Sequence, residues 1–67
     1  MSNFQILKAI NSIQEQIRRN ESLFDDLVEL LETDEIDGQE FNRRRTILRR
    51  EEQNLYNQLI AAKNGWN

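Results

Sequence analysis

The chain has 67 residues, a net charge of −3, and neither cysteine nor histidine. These numbers exclude disulfides, zinc sites built on thiolate or imidazole ligands, and catalysis by Cys or His, and the acidic balance disfavours a protein that coats nucleic acid. A single domain over residues 1–67 is expected. Because so short a chain buries little of its surface, self-association is the remaining means of stabilising it.

The N-terminal residues are too polar for a signal peptide, and no uninterrupted apolar run approaches the length that crosses a membrane. The sequence therefore predicts a cytoplasmic protein with no membrane partner. No glycine-rich phosphate loop or metal-binding pattern occurs, so no cofactor is expected.

Residues from 3 to about 32 predict one long amphipathic helix. Its apolar positions follow alternating steps of three and four residues, which places them in one stripe along a helix. The stripe consists of Ile6, Ile10, Ile13, Ile17, Phe24, Leu27 and Leu31, with Asn20 at its one polar position. Further apolar residues flank the stripe on both sides, which a simple two-stranded contact does not require.

A short turn is predicted at residues 33–37. Its acidic residues and the glycine that follows suggest a calcium-binding loop, but the required spacing places Thr33 at the first ligand position and Arg44 at the last, which excludes an EF-hand site. The same segment fits the start of a helix, because Asp37 is an N-cap and Glu40, three residues later, completes a capping box.

The second predicted helix covers residues from about 38 to 64. Folding the chain back at the turn pairs the positions whose numbers add to 72. This pairing joins Leu31 with Phe41, Phe24 with Leu48, Ile17 with Leu55, Ile13 with Leu59, Ile10 with Ala62 and Ile6 with Trp66. The predicted fold class is therefore all-α, an antiparallel two-helix hairpin with coiled-coil-like packing.

Charge is segregated along this hairpin. Residues 21–40 carry nine acidic residues and no basic one, and five arginines follow directly. The pairing places Glu21 near Arg49, Asp25 and Asp26 near Arg44 and Arg45, and Arg18 and Arg19 near Glu51 and Glu52. Ion pairs between the helices are expected to select this register rather than to supply much stability.

Apolar residues outside the seam predict association between hairpins. A lone hairpin exposes them, whereas two hairpins packed as a four-helix bundle bury them. The predicted dimer or partner interface consists of Leu7, Leu23, Val28, Leu30, Ile47, Tyr56, Ile60 and Trp66. We expect a homodimer, with Arg45 and Glu52 in polar layers that set its register.

The sequence does not predict an enzyme. Its serine and threonine hydroxyls have no histidine to activate them, and neighbouring carboxylates such as Asp25 and Asp26 point about 100° apart on a helix. The expected function is that of a small interaction module, an adaptor, assembly factor or inhibitor that binds another protein. A structural subunit of a larger viral or cellular assembly fits the same residues equally well.

Two charged surfaces are candidates for contact with a partner. The first is an acidic rim at the hinge, which suits a basic protein surface and consists of Glu32, Asp34 and Glu35. The second is an arginine stripe, which suits phosphates and consists of Arg43, Arg44, Arg49 and Arg50. The chain is similar in length and layout to small dimeric helical-hairpin proteins that bind RNA, and RNA or DNA binding is the alternative function.

Overall fold

The structure, a computed structural model, describes residues 3–65. Helix α1 spans Asn3–Glu32, helix α2 spans Gly38–Asn64, and residues 33–37 join them. The helices lie side by side in opposite directions, and the molecule measures 48 × 15 × 10 Å. The long dimension fits a thirty-residue helix at ~1.5 Å per residue, and the short ones fit a single layer two helices wide. No strand occurs within residues 3–65, which confirms the predicted all-α hairpin.

The core of the hairpin is one seam, and α1 supplies most of it. The buried residues are Ile6, Ile13, Ile17, Asn20 and Leu27 of α1 and Leu55 of α2. Two helices in one layer cannot surround a side chain, and even Leu27, the most enclosed of the six, remains 3% exposed. The hairpin alone therefore lacks the closed core that stabilises larger domains.

Contacts across the seam agree with the predicted pairing in the half of the hairpin away from the turn. Ile13, Ile17 and Leu55 form a buried cluster, and Leu59 and Ala62 pack against it. The pairing sum of 72 places Ile17 opposite Leu55 and Ile13 opposite Leu59. The apolar spacing of the sequence thus specifies both the helices and their alignment.

The turn ends α1 with a left-handed residue. The main-chain N–H of Glu35 donates to the carbonyl of Leu30 at 2.9 Å, and that of Asp34 donates to the carbonyl of Leu31 at 3.2 Å. These two hydrogen bonds define a Schellman motif, in which Asp34 holds the left-handed position with φ of 59°. The residue that reverses the chain is therefore Asp34 and not Gly38, the glycine of the hinge, whose φ is negative.

Asp37 begins α2 as its N-cap. Its Oδ1 accepts a hydrogen bond from the main-chain N–H of Glu40 at 2.8 Å, and its own backbone is extended. The return hydrogen bond of a capping box is absent from the described chain, because the Glu40 carboxylate accepts from the side chains of Arg43 and Arg44 instead. The N-cap prediction is confirmed, and the capping-box prediction is wrong.

Candidate interaction surfaces

Most of the residues predicted to form an interface are exposed on the hairpin. The exposed fractions are 46% for Leu7, 52% for Leu23, 45% for Ile47, 41% for Tyr56 and 57% for Ile60. Val28 and Leu30 are half-buried, and Trp66 lies outside the described residues. Phe4 is 72% exposed and was missing from the prediction, although its position off the seam spacing indicates an outward side chain.

An apolar groove, termed here the hinge groove, lies between the two helices near the turn. It is lined by Leu23, Leu27 and Leu30 of α1, Ile47 and Leu48 of α2, and the charged residues Asp26 and Arg44. Leu27 is buried and Leu48 half-buried, whereas Leu23 and Ile47 stand about half exposed. The groove thus offers apolar surface on both helices to a ligand or a partner.

A second apolar surface, the open-end patch, lies away from the turn. It comprises Leu7, Tyr56 and Ile60, and Val28 lies farther along the same face. At about 100° per residue, Leu7 lies about 160° from Leu23 around α1, and Tyr56 lies about 180° from Ile47 around α2. The open-end patch and the hinge groove are therefore on opposite faces of the layer, and one face-to-face contact covers only one of them.

A buried polar residue, Asn20, ties the helices together between these surfaces. Its side chain is 5% exposed, and its Nδ2 donates a hydrogen bond to the main-chain carbonyl of Leu48 at 3.0 Å. This is a contact between α1 and α2 that depends on one side chain at one level of the seam. Asn20 therefore fixes the register in the way that a single buried amide does in coiled coils.

The predicted charge pairing between the helices is wrong for the described residues. The ion pairs in residues 3–65 are Arg18–Glu15, Arg43–Glu40 and Arg44–Glu40, and each lies within one helix. Neither Glu21, Asp25 nor Asp26 forms an ion pair within this part of the chain. A helix brings residues three and four positions apart close together, and these local partners compete with any partner across the seam.

Two arginines hold the carboxylate of Glu40. Hydrogen bonds from Arg43 and then from Arg44 lower the pKa of Glu40 to about 2, and the hydrogen bond to Glu40 raises the pKa of Arg43. Glu40 also lies in the first turn of α2, where the helix dipole favours a negative charge. The first turn of α2 is thus an electrostatically stabilised start for the helix.

The two charged candidate surfaces differ in how many of their charged groups are already engaged by other residues of the hairpin. In the acidic rim, Glu32, Asp34 and Glu35 are all exposed, and the Glu35 carboxylate accepts a hydrogen bond from the Thr33 hydroxyl at 2.8 Å. No group of three carboxylates within residues 3–65 is placed to hold a metal ion. In the arginine stripe, Arg43 and Arg44 are engaged by Glu40, whereas Arg49 and Arg50 are exposed and form no ion pair within the described residues.

An aromatic contact near the turn was not predicted. The rings of Phe24 and Phe41 lie 6.5 Å apart between centroids and are tilted by 57°, and the guanidinium of Arg45 lies 5.6 Å from the Phe41 centroid. The predicted pairing places these two phenylalanines opposite other residues. Long aromatic side chains reach along the seam past their nearest partners, which a pairing of positions does not capture. Arg45 and Glu52, predicted for polar layers of a dimer, are half-buried in the single hairpin.

Comparisons with protein-family models, with curated proteins and with solved structures find no match to this chain. Within residues 3–65, neither helix combines the length and the hydropathy needed to cross a bilayer.

Proposed function

We propose that this chain is a small, non-enzymatic protein–protein interaction module of the cytoplasm that works as a helical-hairpin homodimer. Two hairpins pack into a four-helix bundle, and the dimer serves as an adaptor, assembly factor or inhibitor of another protein. The observation that carries the proposal is the pair of exposed apolar surfaces, the hinge groove and the open-end patch, on opposite faces of one layer of helices.

The energetics of the single layer support the dimer. The seam encloses few side chains, while large apolar residues such as Leu23 and Ile60 remain more than half exposed. Fully burying one such side chain contributes ~1.5–3 kcal/mol, which is large beside the net stability of a small domain. A second hairpin on one face supplies this burial and converts a marginal layer into a closed core.

The opposite face remains open in such a dimer and is the proposed docking surface for a different protein. Leu7, Tyr56 and Ile60 present apolar and aromatic area of the kind that anchors protein interfaces. The acidic rim at the hinge is a second proposed contact, toward a partner with a basic surface.

Thermal unfolding at different protein concentrations tests the dimer. Anything that binds the folded chain and not the unfolded one raises the melting midpoint by mass action, so a dimer melts at higher temperature as its concentration rises. We expect the midpoint followed by circular dichroism to increase steadily from low micromolar to high micromolar chain. A midpoint that does not change with concentration contradicts the proposal.

Nucleic-acid binding is the second candidate, and it is favoured by Arg49 and Arg50, which are exposed and form no ion pair within residues 3–65. These two guanidinium groups are available for phosphates, whereas Arg43 is already engaged by Glu40. An electrophoretic mobility shift at low salt tests it. Arg49→Gln with Arg50→Gln abolishes a genuine shift, the matched pair Arg18→Gln with Arg19→Gln preserves it, and no shift of the wild type at micromolar protein rejects this function.

A further inference from the structure

The two exposed apolar surfaces have different electrostatic surroundings. The charged residues that line the hinge groove are Asp26 on α1 and Arg44 on α2, so one side of the groove is acidic and the other is basic. The hairpin holds these two residues at nearly the same level, because their numbers add to 70, close to the pairing sum of 72. Around the open-end patch the charges are mixed, with Lys8 and Arg18 on the same helix as Glu15. The hinge groove therefore has a charge pattern that distinguishes one orientation of a partner from another.

The two charges that line the groove do not neutralise each other within the hairpin. No ion pair joins Asp26 to Arg44 in residues 3–65, because the ion pair of Arg44 runs to Glu40 on its own helix. Asp26 and Arg44 are both exposed. Each therefore remains available to an oppositely charged group on another molecule.

A second copy of the chain can lie face to face on the groove in two symmetric ways. With the two-fold axis parallel to the helices, both hinges lie at the same end and α1 of each copy lies over α2 of the other. With the axis across the helices, the hinges point in opposite directions and α1 lies over its own counterpart. The first arrangement sets Asp26 of each copy against Arg44 of the other, and the second sets Asp26 against Asp26 and Arg44 against Arg44.

Resting on the proposed homodimer, we propose that a second copy occupies the hinge groove with the two-fold axis parallel to the helices, so that both hinges lie at one end of the bundle. Leu23 and Ile47, which flank the groove, then meet across the interface: Leu23 of each copy packs beside Ile47 of the other. The open-end patch stays outside this contact.

The geometry of a four-helix bundle separates the two arrangements clearly. Helix axes that face each other lie ~10 Å apart, and Cα atoms lie ~2.3 Å from each axis. Positions 23 and 47 differ by about two residues in level, so the Cα of Leu23 lies roughly 6 Å from that of Ile47 in the other copy. The two Leu23 Cα atoms lie on diagonal helices, roughly 11 Å apart. A disulfide requires Cα atoms within about 7 Å.

Disulfide mapping with single-cysteine chains tests this arrangement, since the natural chain has no cysteine. Leu23→Cys and Ile47→Cys are purified separately, mixed, allowed to exchange subunits, and oxidised. We expect the mixture to form a disulfide-linked dimer that contains one chain of each variant, and each variant oxidised alone to stay uncross-linked. Gln14→Cys mixed with Tyr56→Cys is the matched control on the opposite face, with the same two-residue difference in level, and it is expected to stay uncross-linked as well.

Each other outcome overturns the proposal in a distinguishable way. Self-linking of Leu23→Cys alone shows that α1 lies over α1, and cross-linking only in the Gln14→Cys and Tyr56→Cys control shows that the dimer uses the opposite face; neither result contradicts a homodimer. If the wild type is dimeric but none of the cysteine pairs cross-links, the hinge groove is also rejected as the interface. A monomeric wild type rejects the homodimer itself. If the groove variants lose helical circular dichroism, Gln16→Cys and Gln58→Cys, exposed on the groove face, replace them with the same expected pattern.

Discussion

Replacing Asn20 by aspartate tests the contact that fixes the register of the hairpin. Asn20→Asp changes the volume of the side chain very little but turns its hydrogen-bond donor into an acceptor. The new carboxylate then faces the Leu48 carbonyl, which lies 3.0 Å from the present donor atom. In a side chain that is 5% exposed, an ionised group without a donor is strongly disfavoured.

The size of the effect follows from the burial of Asn20. Leaving a buried charged group unpaired costs about 2–3 kcal/mol, beyond the loss of the original hydrogen bond. A chain of this size has a net stability of only about 3–10 kcal/mol, so Asn20→Asp removes a large fraction of it at neutral pH. Asn11→Asp, the same chemical change at an exposed position of α1, adds the same charge and is expected to alter stability by less than about 0.5 kcal/mol.

The assay is urea unfolding followed by helical circular dichroism, at one fixed chain concentration and at two pH values. Burial raises the pKa of the introduced carboxyl above its ordinary range. The destabilisation is therefore complete above that raised pKa, and it shrinks as the pH falls through it, because the protonated group again donates a hydrogen bond. Equal stabilities of Asn20→Asp and Asn11→Asp at neutral pH would refute a buried donor at this position.

Three further predictions concern the hinge and the start of α2. Asp34→Gly stabilises the protein by about 0.5–1 kcal/mol, because glycine adopts the left-handed conformation of Asp34 without steric cost, and a lower unfolding midpoint in urea would contradict it. Gly38→Ala is expected to stabilise the protein by about 0.5 kcal/mol and to raise its thermal midpoint, because a Cβ at Gly38 meets no atom within 4 Å and alanine restricts the unfolded chain. A lower midpoint would show that the added methyl group clashes with its surroundings. Arg43 and Arg44 lower the pKa of Glu40 from 4.5 to about 2, so this carboxylate contributes stability that is present above pH 4.5 and lost as the pH falls toward 2. The difference in thermal midpoint between wild type and Glu40→Gln is expected to disappear over that window, and a constant difference argues against these hydrogen bonds.

The sequence predicts the helices of this protein well because its apolar residues recur at helical spacing and form the buried seam between the helices. Ile13 and Ile17 recur at helical intervals, and their partner Leu55 falls opposite them once the chain turns at residues 33–37. The N-cap at Asp37 marks the beginning of α2 by a local hydrogen bond that depends only on neighbouring residues. Signals of this kind need no knowledge of distant parts of the chain.

Details that depend on competition between partners were not predictable in the same way. Glu40 had two possible roles, the capping box and pairing with arginines. It pairs with Arg43 and Arg44 because two positively charged guanidinium groups attract the carboxylate more strongly than one neutral main-chain N–H does. The same local pairing occupies Arg44 and Arg18, two of the arginines that were expected to pair across the seam. The left-handed conformation of Asp34 was not predicted, because glycine usually occupies this position at the end of a helix.

The division of the exposed apolar residues into two faces could have been read from the sequence, but a single stripe along the seam does not show it. To see the two faces, the angular positions of residues off the seam must be compared around the helix axis, for example those of Leu7 and Leu23 around α1. The Phe24–Phe41 contact needs the directions of the side chains, which position numbers do not contain.

Sedimentation equilibrium of the wild-type chain at micromolar concentration measures the central property most directly, because every proposed role depends on two hairpins forming one bundle. We expect a particle of twice the 8.1 kDa chain mass. A particle that keeps the mass of a single chain across the micromolar range, with its helices intact by circular dichroism, would contradict it.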